Sequence, residues 1–138
     1  MRGLVVAAVT SGSGKTLVSL ALMAWLQRIG LQVQPFKVGP DFIDPGHHRA
    51  VTGRHSHNLD GWMLSGRANR DIFFRYGQDA DLCLVEGVMG LFDGFSPTGE
   101  SGSTAEMAKW LGLPVLLIAD ARSMARSAAA LVKGFADF

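Results

Sequence analysis

The sequence predicts a doubly wound α/β fold on a mainly parallel sheet, and three observations carry that reading. Short apolar, β-branched runs at residues 4–9, 32–38, 81–86 and 114–119 have the character of strands buried on both faces. Helical stretches at residues 17–29, 68–76, 103–111 and 123–135 stand between and after them, the alternation that gives a parallel sheet covered on both sides. Charged residues collect where the strands end, the side of such a sheet on which ligands bind.

The first strand runs into Thr10-Ser11-Gly12-Ser13-Gly14-Lys15-Thr16 and then directly into a helix. Strand, glycine-bearing turn, Gly-Lys-Thr and helix in that order form a phosphate-binding loop. Gly12 and Gly14 let backbone N–H groups turn inward, and the helix start adds its unpaired N–H groups and positive dipole end. Ser11, Gly12, Ser13, Gly14, Lys15 and Thr16 are therefore expected to hold nucleotide, with Lys15 on the β- and γ-phosphates and the Thr16 hydroxyl on Mg²⁺. The loop departs from two consensus patterns: Val9 stands where a glycine is usual, and Thr10 where one branch of these loops carries a second lysine.

The helix over residues 17–29 is apolar nearly all round and is expected to pack tightly on the sheet, with Gly30 as its left-handed end. The second strand places Lys37 near its carboxyl end. Residues 39–64 show little periodicity, and their prolines and glycines predict no long regular structure. A short helix follows at residues 68–76. The third strand delivers Glu86 and Gly87 at its tip. Residues 94–102 are glycine-rich and read as a functional loop. Ser103-Thr104-Ala105-Glu106 has capping-box spacing and opens a helix that Gly112 stops. The fourth strand ends at Asp120, and the last helix stops without a closing element, so the chain is expected to be part of a longer protein.

Composition bounds the function. A chain of 138 residues with 48% hydrophobic and 18% charged residues suits one globular domain. A net charge of +1 advertises neither nucleic acid nor an acidic membrane surface. The longest apolar stretch is too short to span a bilayer, and no signal-peptide anatomy precedes the first strand. The single cysteine, Cys83, lies in an apolar run, which excludes a disulfide framework and fits a reducing cytoplasm.

Several residues beside the loop are candidates for chemistry. Glu86, a carboxylate at a strand tip near a triphosphate, is placed to hold Mg²⁺. Asp41 and Asp44 are the other nearby acids, each either completing the metal shell or orienting substrate, or else simply forming an Asx turn. Lys37 is placed to bridge the γ-phosphate and an acceptor carboxylate, the plainer alternative being a snorkelling lysine. His47, His48, His55 and His57 lack zinc-site spacing, so contact with an anion or substrate is preferred over metal binding. Arg49, Arg54, Arg67 and Arg70 read individually as surface charges. No Ser/His/Asp or Cys/His nucleophile arrangement is present.

Longer blocks sharpen this reading. The loop, Phe36-Lys37-Val38-Gly39-Pro40-Asp41-Phe42-Ile43-Asp44-Pro45, Asn58-Leu59-Asp60, Val85-Glu86-Gly87-Val88-Met89-Gly90-Leu91-Phe92-Asp93-Gly94 and Asp120-Ala121-Arg122 occur in order over essentially the whole chain. In these blocks the chain resembles the cobyrinic acid a,c-diamide synthase family, within the dethiobiotin synthetase-like P-loop superfamily. The resemblance implies an ATP- and Mg²⁺-dependent amide ligase domain of cobalamin biosynthesis, cytoplasmic, spanning residues 1–138 and incomplete. Its expected substrate is a corrinoid polycarboxylate, cobyrinic or hydrogenobyrinic acid. The a and c carboxylates are phosphorylated and then amidated by ammonia from a glutaminase domain absent from this chain. Lys15, Lys37, Asp41 and Asp44 carry the expected catalytic roles, and Thr16, Asp44 and Glu86 the metal. A homodimer stays among the expected assemblies. The alternatives are a dethiobiotin synthetase-like or sirohydrochlorin a,c-diamide ligase, or a partition-type nucleotide-switch ATPase.

Overall fold

A computed structural model describes residues 2–138. Its elements are β1 (Gly3–Ala8), α1 (Lys15–Arg28), β2 (Val33–Val38), α2 (Ile43–Thr52), β3 (His57–Leu59), α3 (Gly66–Gly77), β4 (Leu82–Glu86), α4 (Thr104–Leu111), β5 (Val115–Ile118) and α5 (Ser127–Asp137). The sheet has the order β3-β2-β4-β1-β5, and every pairing is parallel. The predicted doubly wound α/β fold is therefore present.

Alternation along the strands sorts side chains into two cores. Val5, Phe36, Val38, Cys83 and Val85 pack with Phe73 of α3 and Met107, Ala108 and Leu111 of α4. Val6, Val33 and Leu84 point the other way, onto Met23 and Leu26 of α1. The register pairs Lys37 with Glu86, and Val6 with Glu86. Lys37 and Glu86 thus continue the row of Val33, Leu84 and Val6 at its carboxyl end, facing α1 and α2. Burial pushes the Cys83 thiol up to about 11, as suits an inert core residue.

One expectation needs correction. Residues 39–64 are not without regular structure: they contain the ten-residue helix α2 and the short edge strand β3, so the sheet has five strands, not four. Pro45 does not prevent α2 because it is the helix's third residue, where an N–H has no intrahelical partner to lose. The Asp41 carboxylate accepts from the N–H groups of Ile43 at 2.8 Å and Asp44 at 3.2 Å, capping the helix start from just outside it.

Helix α1 packs on the sheet as expected, through one face. Only Lys15, Ser19, Met23 and Leu26 are buried, a stripe at helical spacing, while Leu17 and Trp25 are 74% and 55% exposed. A sheet covers one face of a helix, whatever the opposite face is made of.

Other local readings hold. Gly30 follows α1 with φ 89° and closes it with Gly30 N–H to Gln27 and Leu31 N–H to Leu26 carbonyl bonds. Ser103 Oγ accepts from Glu106 N–H, while the Glu106 carboxylate accepts from Gly102 N–H rather than from the cap residue's own. The last helix begins at Ser127, four residues later than the sequence suggests. No helix among the described residues is long and apolar enough to cross a membrane.

Candidate nucleotide site

Three adjacent strands, β2, β4 and β1, deliver Lys37, Glu86 and the phosphate loop to one edge of the sheet. Gly12 and Gly14 have φ of 76° and 91°, left-handed conformations that glycine adopts without strain, and they turn the chain into α1. Lys15 is the first residue of α1, and its Nζ donates to the Met89 carbonyl at 2.5 Å across the mouth of the loop. Met89 itself is held at φ 50°, uncommon for a residue with a side chain. A cleft of about 410 Å³ is lined by Ser11, Gly12, Gly14, Lys15, Thr16 and Leu17 on one wall. Lys37, Asp44, Glu86, Val88 and Met89 line the other. A larger cavity of about 750 Å³, between residues 92–100 and α5, contains none of the phosphate loop.

Glu86 is the hub of the cleft. It is fully buried, and its Oε1 accepts from Thr16 Oγ1 at 2.6 Å and Lys37 Nζ at 3.1 Å. Its Oε2 meets His48 Nε2 at 2.8 Å. Burial works against the carboxylate charge, but the bonds from His48, Thr16 and Lys37 outweigh it and hold the group well below the usual carboxylate range. Lys37 Nζ also donates to Asp44 Oδ2 at 2.7 Å and to the Gly87 carbonyl at 3.2 Å. Burial opposes its charge too, yet Asp44 and Glu86 prevail and raise its pKa. Lys15 is shifted the other way, lowered by burial and by the neighbouring Lys37.

The structure brings together Ser11, Gly12, Gly14, Lys15, Thr16, Lys37, Asp44 and Glu86, with Asp41 at the margin, 3.7 Å from Lys37 Nζ, while the Ser13 hydroxyl donates to the Thr10 carbonyl and does not line the cleft. Asp44 Oδ2 lies 3.4 Å from Thr16 Oγ1. One hydroxyl and two carboxylates converge, hard oxygen donors of the kind that hold Mg²⁺ jointly with phosphate oxygens. Among the described residues no group of three or more His, Cys, Asp or Glu is arranged to hold a metal.

None of the four histidines lines the cleft, and His55 and His57 instead share a separate cavity of about 390 Å³ with Arg54, Arg75 and Tyr76. His48 is fully buried behind Glu86, and His57 stacks on Tyr76 at 3.6 Å between ring centroids, at the opposite end of its strand. Arg54 is tied to Gln34 and Arg67 lies 4.0 Å from Asp71, both away from the cleft. Asp120 lies just beyond β5, is ion-paired with Arg122 and stays outside the cleft.

Two residues take a part in the site that the sequence did not assign them, His48 having been expected to contact an anion or substrate. His48 is one. Asn58 is the other: its Nδ2 donates to the carbonyls of Gly39 and Asp41 at 2.7 and 2.8 Å, pinning the turn that leads into α2. The i, i+4, i+8 spacing of Asp44, His48 and Thr52 was the available signal for His48.

A phosphate loop between the first strand and helix of a parallel sheet, flanked by charges from the next two strands, defines a nucleotide-binding P-loop domain. The chain belongs to the CobQ/CobB/MinD/ParA nucleotide binding domain family, whose pattern matches residues 4–138. It is 56% identical over 135 residues to a cobyrinate a,c-diamide synthase of Syntrophotalea carbinolica, covering 98% of this chain and 29% of that protein. The enzyme of the same name from Priestia megaterium is 53% identical over 137 residues, covering 99% and 30%. A hydrogenobyrinate a,c-diamide synthase of Streptomyces coelicolor is 52% identical over 132 residues, covering 96% and 27%. The chain thus spans under a third of the length of these curated relatives.

Proposed function

We propose that this chain is the ATP-binding synthetase part of a cobyrinate or hydrogenobyrinate a,c-diamide synthase. The observation that carries the reading is the Lys37–Glu86–Thr16–Asp44 cluster at the mouth of the phosphate loop, in a chain more than half identical to synthases of that name. In the reaction a corrin side-chain carboxylate takes the γ-phosphoryl group of ATP, ADP leaves, and ammonia displaces phosphate from the acyl phosphate to give the amide. The ammonia comes from glutamine, hydrolysed by a glutaminase domain that belongs to the remaining length of the full protein.

Thr16, Asp44 and Glu86 are the residues that would hold Mg²⁺, which supplies charge neutralisation on the phosphates when bound. The backbone N–H groups of residues 11–16 cradle the phosphates. Lys15 exchanges its bond to the Met89 carbonyl for the β- and γ-phosphate oxygens. Lys37 keeps its proton, because Asp44 and Glu86 favour the ammonium over its burial, and offers a fixed positive charge between γ-phosphate and acceptor carboxylate. Asp44 holds Lys37 in line. Asp41 serves this arrangement through the first turn of α2.

The test uses the full-length protein with cobyrinic acid, ATP, Mg²⁺ and glutamine. The diamide, ADP, phosphate and glutamate are expected, and Lys15→Ala abolishes ATP use. Lys37→Ala is expected to lower the amidation rate about 10²-fold or more while nucleotide affinity changes little. Equal loss of both would demote Lys37 to a phosphate clamp. ATP turnover indifferent to corrinoids but responsive to a membrane or DNA would favour a partition-type switch and end the ligase reading.

A further inference from the structure

His48 has no part in the chemistry above, yet it is among the most constrained side chains of the molecule. It is fully buried, and both ring nitrogens are engaged: Nε2 with Glu86 Oε2 at 2.8 Å and Nδ1 with Ser56 Oγ at 2.9 Å. The two oxygens of Glu86 are divided. Oε1 faces Thr16 and Lys37 in the cleft, while Oε2 faces His48 in the interior. The terminal torsion of a glutamate is soft and two-fold, so a carboxylate held at one oxygen alone is free to turn its plane. A histidine bonded to the other oxygen removes that freedom.

The ring is itself fixed. It stands one turn after Asp44 on the same face of α2, and the Thr52 hydroxyl donates to the His48 carbonyl at 2.8 Å. Ser56, just before β3, closes the far side. Helix α2 therefore controls both acids of the cleft, Asp44 directly and Glu86 through the imidazole. We propose that His48 is a positioning residue which, backed by Ser56, orients the Glu86 carboxylate so that Oε1 is presented to Thr16 and the metal–phosphate site. Outer groups that orient a metal ligand in this way are commonly worth 10- to 100-fold in metal affinity. The inference rests on the proposed role of Glu86 as a metal ligand.

The experiment measures binding of a non-hydrolysable ATP analogue to the full-length protein by calorimetry, without metal and across a MgCl₂ titration. His48→Leu is expected to raise the Mg²⁺ concentration for half-maximal effect about tenfold and to leave metal-free analogue affinity unchanged. His48→Gln, whose amide nitrogen can still donate to Glu86, is expected to recover to within about threefold of the parent. An unchanged Mg²⁺ requirement in His48→Leu overturns the proposal. So does an equal loss of affinity with and without Mg²⁺, the mark of a purely structural role. If His48→Leu does not fold, Ser56→Ala decides: a Mg²⁺ requirement raised about threefold supports the relay, and an unchanged one overturns it. Glu86→Gln is measured alongside. If it retains the parent's Mg²⁺ requirement, the metal reading fails and takes this inference with it. If Glu86→Gln is impaired and His48→Leu is not, the positioning role alone fails.

Discussion

Glu86 and Lys37 are 0% and 4% exposed, so each depends on the other and on Asp44, Thr16 and His48 to remain charged. Taking two ions out of water costs about as much as their attraction returns, and hydrophobic replacements of such pairs are often at least as stable. Stability does not explain their presence; under the proposed function, a cleft that receives phosphate does. Their titration leaves a signature. The folded-state pKa of Glu86 lies below its ordinary 4.5, so its stabilising contribution is complete above that pH and is lost as pH falls through the depressed value. Lys37, raised above its ordinary 10.5, contributes fully below that pH and is lost as pH rises through the raised value. Urea unfolding of the full-length protein is expected to lose stability more steeply between about pH 5 and about pH 2 than unfolding of Glu86→Gln. Parallel curves would mean that Glu86 titrates normally.

Helix α2 is the element on which the site turns, and it was the least legible. Its first turn contains Pro45 and Gly46, and Gly39 and Pro40 precede it, all of which signal irregular chain when read singly. Asp41 changes their meaning: once its carboxylate takes the first N–H groups, Pro45 occupies a turn that needs no N–H. Asp41→Ala is therefore expected to cost about 1 kcal/mol of stability in chemical denaturation. Asp41→Asn, also a good cap, should keep both stability and activity. Loss of activity in a normally stable Asp41→Asn would restore Asp41 to a direct chemical role. The phosphate loop, by contrast, was fully legible, because strand, glycines, Gly-Lys-Thr and helix are contiguous and local. Lys37 and Glu86 were legible as strand tips, but their mutual contact was not, since it depends on β4 inserting between β2 and β1. His48 was hidden for the same reason: its partner is 38 residues away.

At the scale of the whole molecule, packing is uneven. β1, β2 and β4 are flanked by strands on both sides and carry the core, whereas β5 pairs only with β1, and its Val115 and Leu116 are 37% and 38% exposed. Helix α5 has no buried residue, and its Phe135 ring lies 5.5 Å from that of Phe92. Hydrogen–deuterium exchange on residues 1–138 alone is expected to be slowest in β1 and β4 and fastest in β5 and α5. Uniform protection would show that the far edge is held as firmly as the centre. The pairing of Lys37 with Glu86 across the β2–β4 ladder reaches beyond nucleotide chemistry. A slip of β4 by one residue would turn Glu86 through the sheet into the apolar layer of Phe73 and Met107, a bare carboxylate among hydrocarbon. Apolar residues on both faces of a central strand discriminate poorly between the two alignments; one acid at the strand's end does not tolerate the wrong one. The charges that make the cleft useful thus also proofread the assembly of the sheet that carries them.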